Sequence, residues 1–177
     1  ALEDYNPISI DRPLQEATAR NGAQWSESLL EAFGRELGLA TTIEHGRLAN
    51  RNKPELKTFD RFGYRIDEVD FHPSYHHMMS LGMQYGVHSV AWKTDDQGGH
   101  VTHTALEYLL GQVEGGVCCP LTMTYAVVPA LKNNPDLSER FLSKLLSNAY
   151  DPRCIPIDEK DSMTMGMAMT EKQGGSD

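Results

Sequence analysis

Apolar positions in this chain recur mostly at helical spacing. Asp11 before Arg12 and Pro13 reads as an N-cap with a first-turn proline, opening a short helix that Asn21 and Gly22 close. Trp25, Leu29, Phe33 and Leu37 are spaced by four, with Leu30 widening the stripe, which predicts an amphipathic helix ending near Gly38. Residues 41–50 extend as a further helical stretch. Pro73 opens a helix through Tyr85, with Tyr75, Met79 and Met83 on one face and Gly82 and Gly86 admitting a close neighbour. A long helix is expected from about Val101 to Gly115, carrying Ala105, Leu106, Leu109 and Val113. Pro120 is expected to open the next, with Leu121, Tyr125, Val128 and Leu131 buried. Asp136 with Glu139 three residues on reads as a capping box for a last helix, whose apolar side holds Phe141, Leu142, Leu145 and Leu146. Five or six such helices can cover one another as a bundle.

Two stretches break the helical period. Leu56 to Phe59 and Tyr64 to Val69 flank Asp60-Arg61-Phe62-Gly63, which predicts a small hairpin near residues 56–70 with Gly63 in the left-handed region. It is an insertion between helices. Further on, Met163, Met165, Met167 and Met169 alternate with Thr164, Gly166, Ala168 and Thr170, a period of two that reads as a β-strand. The helical sequence upstream offers that strand no partners, and a lone strand cannot cover four methionines. The expected organisation is therefore an all-helical domain over 1–160, with residues 161–177 opening a truncated β-domain. In isolation its Met stripe is expected to stay exposed.

Composition narrows the class. The 177 residues are 40% hydrophobic and 23% charged, a globular balance. No apolar run approaches the roughly 18 to 20 residues that cross a bilayer, so no membrane contact is expected. The N-terminus ALEDYNPISI lacks the basic and apolar regions of a signal peptide. Three cysteines, two of them adjacent at Cys118 and Cys119, give no disulfide framework and suit a reducing compartment. A cytoplasmic protein is the expectation. A formal charge of −9 argues against a phosphate-binding surface, so any DNA contact would have to come from outside this chain.

Candidate chemistry is sparse. His72, His76 and His77 include a helical i,i+4 pair, yet no acidic residue completes a zinc-protease pattern, and capping plus interhelical hydrogen bonds account for them better than a metal. Thr122 and Thr124 in the helix after Pro120 can cap its first turn and bond backbone carbonyls. Glu171 to Asp177 form a loop in which Gly174, Gly175 and Ser176 offer backbone and hydroxyl donors close to a phosphate or a flat ring.

The string GMAMTEKQGGSD resembles the flavin-binding strand and loop of acyl-CoA dehydrogenases, whose usual form is Thr-Glu-Pro, two variable positions and Gly-Ser-Asp. Lys172 stands where most members carry proline. That departure, with CPLTMTYAVVP at 119–129, EHGRLAN at 44–50 and FHPSYHHMM at 71–79, looks like the adaptive-response, AidB-type branch. The resemblance runs from about residue 12 to the end. It implies an N-terminal helical bundle domain, a middle β-domain and a C-terminal helical bundle in the complete protein, a homotetramer. By position, Met167, Met169, Thr170, Gly175 and Ser176 correspond to residues that touch FAD, and Thr122, Thr124 and Tyr125 fall beside the flavin and acyl pocket. The implied reaction is oxidation of an acyl-CoA-like thioester, with proton abstraction at the α carbon and hydride transfer to flavin. The family's catalytic carboxylate belongs to the C-terminal bundle, so no catalytic residue is expected in this chain, and the DNA-binding basic region of this branch would also lie there. The alternatives are a DNA-associated protective flavoprotein with little dehydrogenase activity, and a cofactor-free helical interaction domain.

Overall fold

The computed structural model describes residues 2–168 and 172. Helices α1 (Pro7–Ile10) and α2 (Arg12–Arg20) lead to α3 (Glu27–Leu37) and α4 (Ala40–Arg51). Strands β1 (Glu55–Phe59) and β2 (Arg65–Asp70) follow, then α5 (Pro73–Gln84), α6 (Val90–Lys93) and α7 (Gly99–Gly111). Helices α8 (Cys118–Ala126), α9 (Val128–Lys132) and α10 (Pro135–Leu145) complete the set. The fold class is mainly helical, as the periodicity predicts.

Local chemistry sets the helix ends. The Asp11 carboxylate accepts from Leu14 N at 2.9 Å, capping α2 as expected. His72 Nδ1 accepts from Ser74 N at 3.1 Å ahead of Pro73, so this histidine is a cap. Three expectations need correction. The last helix is capped by Asn134, whose side chain accepts from Leu137 N at 3.2 Å, because Pro135 fixes the first helical position; Asp136 lies inside the first turn. Trp25 lies in a short 3₁₀ turn before α3, 39% exposed, with its indole N–H donating to Gln97 O, so the stripe of α3 is built by Leu30, Phe33 and Leu37 instead. Pro120 does not open its helix. Glu114, nearly buried, accepts from Gly116 N at 2.8 Å and Val117 N at 2.7 Å, and the helix starts two residues before the proline. The apolar run beyond it divides into α8 and α9 at Val127, two residues before Pro129, which has no N–H to carry a helix through.

One core joins α1, α3, α5, α7 and α8. Phe33, Leu37, Met78, Met83, Leu106, Leu109, Leu110 and Leu121 are fully buried within it. Gly82 lets α5 and α8 meet, since a Cβ there would come within 2.7 Å of Leu121 Cδ1. A smaller cluster joins Leu131, Leu145 and Met163, with Phe141 and Met165 packed on it.

The hairpin forms where the pattern places it. Leu56 pairs with Val69 and Lys57 with Glu68, antiparallel, and the register shifts before Phe59 meets Arg65. Gly63 turns with φ +87°, while the Asp60 carboxylate accepts from Phe62 N and Tyr64 N. Such a φ is left-handed space that glycine enters without a Cβ penalty.

Candidate functional site

The three pocket candidates sit on α8 but face two ways. Thr122 and Tyr125, three residues apart, share the side toward α7. The Thr122 hydroxyl donates to Glu107 Oε1, and the Tyr125 hydroxyl lies 2.7 Å from His100 Nδ1. The Tyr125 ring stacks on His103 with centroids 3.7 Å apart, and the Trp92 indole N–H donates to Tyr125 O at 3.0 Å. Thr124, buried, points elsewhere. Its hydroxyl donates to Pro120 O at 2.7 Å and accepts from Met165 N at 3.0 Å, so it links α8 to the terminal segment. The back-bond reading of Thr124 is the one its hydroxyl fulfils within the helix, and the same oxygen takes a second partner outside it.

His103 defines the electrostatics beneath Tyr125. Its Nδ1 sits 2.6 Å from Val87 O, and a carbonyl only accepts, so Nδ1 carries the proton. Burial lowers the pKa of this histidine, opposed by the Val87 bond and by Glu107, whose carboxylate lies 3.5 Å from Nε2. Burial and the Glu107 charge together push the Tyr125 phenol upward. Trp92, His100, His103 and Glu107 escape the sequence reading. The last three share one face of α7 at i,i+3 and i,i+4 spacing, which is the signal that could have found them; Trp92 gave none.

The terminal segment docks by backbone and charge. The Asp151 carboxylate, almost fully buried, takes Arg153 Nε at 2.8 Å and a guanidinium N–H at 2.6 Å, and also accepts from Asp161 N at 3.0 Å. The Arg153 guanidinium holds the Asp151 carboxyl far below the usual carboxylate range. Met163 N then donates to Lys144 O at 3.3 Å, and Met165 N reaches Thr124. Residues 163–168 form no ladder among the described residues, but burial follows the predicted alternation at its start. Met163 is buried and Met165 half-buried, while Thr164, Gly166 and Met167 are exposed. The expectation of an exposed Met stripe is thus corrected at Met163, which Leu131 and Leu145 already cover.

Met167 is 64% exposed, and a Cβ at Gly166 would meet nothing within 4 Å, so this backbone stands open on one side. The other flavin candidates, Met169, Thr170, Gly175 and Ser176, lie outside the described residues. The histidine group does not converge. His72 caps α5, His76 Nδ1 bonds the Tyr150 hydroxyl at 2.7 Å, and His77 stacks on His45 at 4.0 Å. Among the described residues no three His, Cys, Asp or Glu side chains cluster as a metal site. Burial pushes the Cys118 thiol up to about 11, which disfavours its reactive thiolate. A cleft of about 520 Å³ runs between the hairpin base, α5 and the terminal segment, with Tyr75, Met79, Met83 and Met163 in its lining. No helix among the described residues is long and apolar enough to cross a membrane.

A helical body that passes its chain into an open segment beside α8 has counterparts among solved structures. All of the chain superposes on the structure described as Bd2924 apo-form, with a TM-score of 0.85 and 25% identity, covering 35% of that chain. The crystal structure of Caenorhabditis elegans ACDH-11 in complex with C11-CoA shares the fold with a TM-score of 0.82 and 24% identity, and the chain again matches along its whole length, against 30% of that protein. In sequence the chain is 42% identical over 178 residues to the putative acyl-CoA dehydrogenase AidB of Escherichia coli K12, covering 99% of this chain and 33% of that protein. It is 30% identical over 181 residues to acyl-CoA dehydrogenase family member 11 of Caenorhabditis elegans, covering 98% of this chain and 28% of that one. These likenesses define the class as acyl-CoA dehydrogenase-like. The sequence model described as adaptive response protein AidB N-terminal domain matches residues 1–152, and the chain belongs to that family. It spans about a third of the length of the curated relatives it matches.

Proposed function

We propose that this chain forms the N-terminal wall of an FAD-dependent flavoprotein that oxidises an acyl-CoA-like thioester between its α and β carbons and serves the adaptive response to alkylation damage. In this reading residues 1–160 are the helical domain, residues 161–177 begin the middle β-domain, and the proton-abstracting carboxylate belongs to the C-terminal bundle of a homotetramer. The observation that carries the reading is the bond from Met165 N to Thr124 Oγ1, which starts the GMAMTEKQGGSD segment against the helix that bears Thr122 and Tyr125.

The residues at hand suit the cofactor. Gly166 and Met167 leave the backbone open, and Thr170, Gly175 and Ser176 supply donors of the kind a flavin edge and a pyrophosphate accept. When bound, FAD supplies the hydride acceptor. The chain's own part is to bind and orient. Main-chain groups near Met167 and Met169 and the Thr170 hydroxyl hold the ring edge, and Ser176 reaches the pyrophosphate or the thioester ligand. The Thr122 hydroxyl already donates to Glu107 and the Tyr125 hydroxyl is engaged by His100, so they offer an acyl chain a methyl and an aromatic face. That suits an apolar tail.

Flavin titration of the full-length protein tests the assignment. Thr170→Val and Ser176→Ala are each expected to lower FAD affinity, by about 5- to 150-fold, the equivalent of about 1 to 3 kcal/mol for a hydrogen bond lost in a shielded site. Wild-type affinity in both variants contradicts it.

A further inference from the structure

His103 lies between the core and the open side of α8, and each edge of its ring meets a different group. Its Nδ1–H donates to Val87 O at 2.6 Å, so the neutral ring presents Nε2 as a bare acceptor. Nε2 faces Glu107 Oε2 across 3.5 Å, one turn further along α7. A carboxylate is likewise an acceptor only. Two acceptors repel, and this contact becomes attractive when one proton stands between them, with Nε2–H donating to the carboxylate. That proton has a shielded place and a route in, because the His103 ring is buried while the Glu107 side chain keeps 28% of its surface in water.

The pair grips both pocket candidates on the α7 side of α8. The second carboxylate oxygen of Glu107 accepts from the Thr122 hydroxyl, and the His103 ring lies under Tyr125, 17° from parallel. A proton on His103 therefore acts twice. It draws Glu107, and Thr122 with it, toward the imidazole, and it puts a cation beneath the Tyr125 ring. The groups around His103 set when this happens. On α7 itself Glu107 favours the imidazolium and His100 opposes it, while α8 presents the Tyr125 phenol. His88, before α6, is kept neutral by burial, and Lys93 of α6 is bonded to Asn148. From the α2 side Asp11 engages Tyr108, further along α7, and α3 brings the apolar Leu30, Phe33 and Leu37 to the shared core. Burial outweighs the favourable partners, so the proton enters below the ordinary histidine value of about 6.5.

We propose that His103 and Glu107 are a proton-operated positioning pair that closes in acid and fixes Thr122 and Tyr125, setting the shape of the α8 wall. That the wall lines an acyl site rests on the function proposed above; the proton site itself does not.

Proton–nitrogen NMR of the histidine side chains, titrated from about pH 8 to about pH 5, tests the pair with Glu107→Gln as the variant. The glutamine carbonyl can still accept from Thr122 while its amide donates to the bare Nε2, which keeps the geometry without the added proton. The wild type should show His103 as the Nδ1–H tautomer at neutral pH and gain Nε2–H in acid, with the Thr122 methyl and Tyr125 ring signals moving along the same curve. In Glu107→Gln proton uptake by His103 should fall about one pH unit or more lower, and the Thr122 and Tyr125 signals should stay still across the wild-type transition. Circular dichroism matching the wild type shows that this isosteric variant folds. An unchanged titration in the variant, an Nε2–H tautomer at neutral pH, or Thr122 and Tyr125 signals that ignore His103 each overturns the proposal. In the full-length protein octanoyl-CoA affinity should change about threefold or more across the same transition, and Glu107→Gln should abolish the change; the same pH profile in both proteins overturns the regulation. No flavin enters the NMR titration, so its failure would leave the FAD assignment to Thr170 and Ser176 standing.

Discussion

Leu106 on α7 and Phe62 at the tip of the β1–β2 ribbon are both large and apolar, yet the first has no exposed surface and the second is 70% exposed. The helices cover their stripes against one another, because residues at i, i+3 and i+4 present one face and the opposite face can stay polar. A two-stranded ribbon has two faces and two free edges, and the body here reaches only its base, along the cleft shared with α5. Local sequence therefore determines the shape of both regions, but burial comes from neighbours, which the core has within the chain and the ribbon lacks. The terminal segment grades between them, from buried Met163 through half-buried Met165 to exposed Met167.

The contrast is broken most severely in the core. Leu106→Ala should destabilise the chain by about 2 to 5 kcal/mol in urea unfolding, through lost burial and the cavity left behind. A cost below about 1 kcal/mol would mean that the core is looser than its burial indicates.

Acid should reach the core through His88. This histidine is fully buried, its Nε2–H donates to Ser147 O at 3.0 Å, and burial holds its pKa at about 4. Its Nδ1 has no partner among the described residues. A histidine depressed in the folded state contributes its full stability above the unfolded pKa of about 6.5 and loses it as the pH falls toward the folded value. Stability should drop between pH 6.5 and about 4 by up to about 3 kcal/mol. His88→Gln should flatten that slope, and an unchanged slope would remove His88 from the account.

The smallest effect is expected on the ribbon. Phe62→Ser should shift stability by no more than about 0.5 kcal/mol, as for a side chain with little to lose on exposure. A larger cost would mean that the body covers the tip after all.

Much of this architecture was legible in the residues. Asp11, His72 and the Gly63 turn announce local structure through short-range hydrogen bonds, and the stripe of α3 and the hairpin follow from periodicity. Errors arose where two local signals compete. Asn134-Pro135 outweighs the Asp136/Glu139 box, and Glu114 starts α8 ahead of Pro120. The surroundings of Tyr125 were only partly legible: His100 and His103 share a helical period on α7, but nothing local connects that face to Trp92 or to Tyr125 on α8. The membership of the chain in its family was legible in CPLTMTYAVVP, EHGRLAN and FHPSYHHMM, while the docking of Met165 on Thr124 emerges only in three dimensions.

That docking is the hinge of the functional reading, and Thr124 tests it with two substitutions in the full-length protein. Thr124→Val keeps the shape of the side chain but leaves Met165 N–H without its acceptor, whereas Thr124→Ser keeps the hydroxyl. FAD titration should show affinity reduced about fivefold or more in the valine variant and close to wild type in the serine variant. A folded valine variant that binds FAD as tightly as the wild type would contradict the claim that α8 positions the flavin segment.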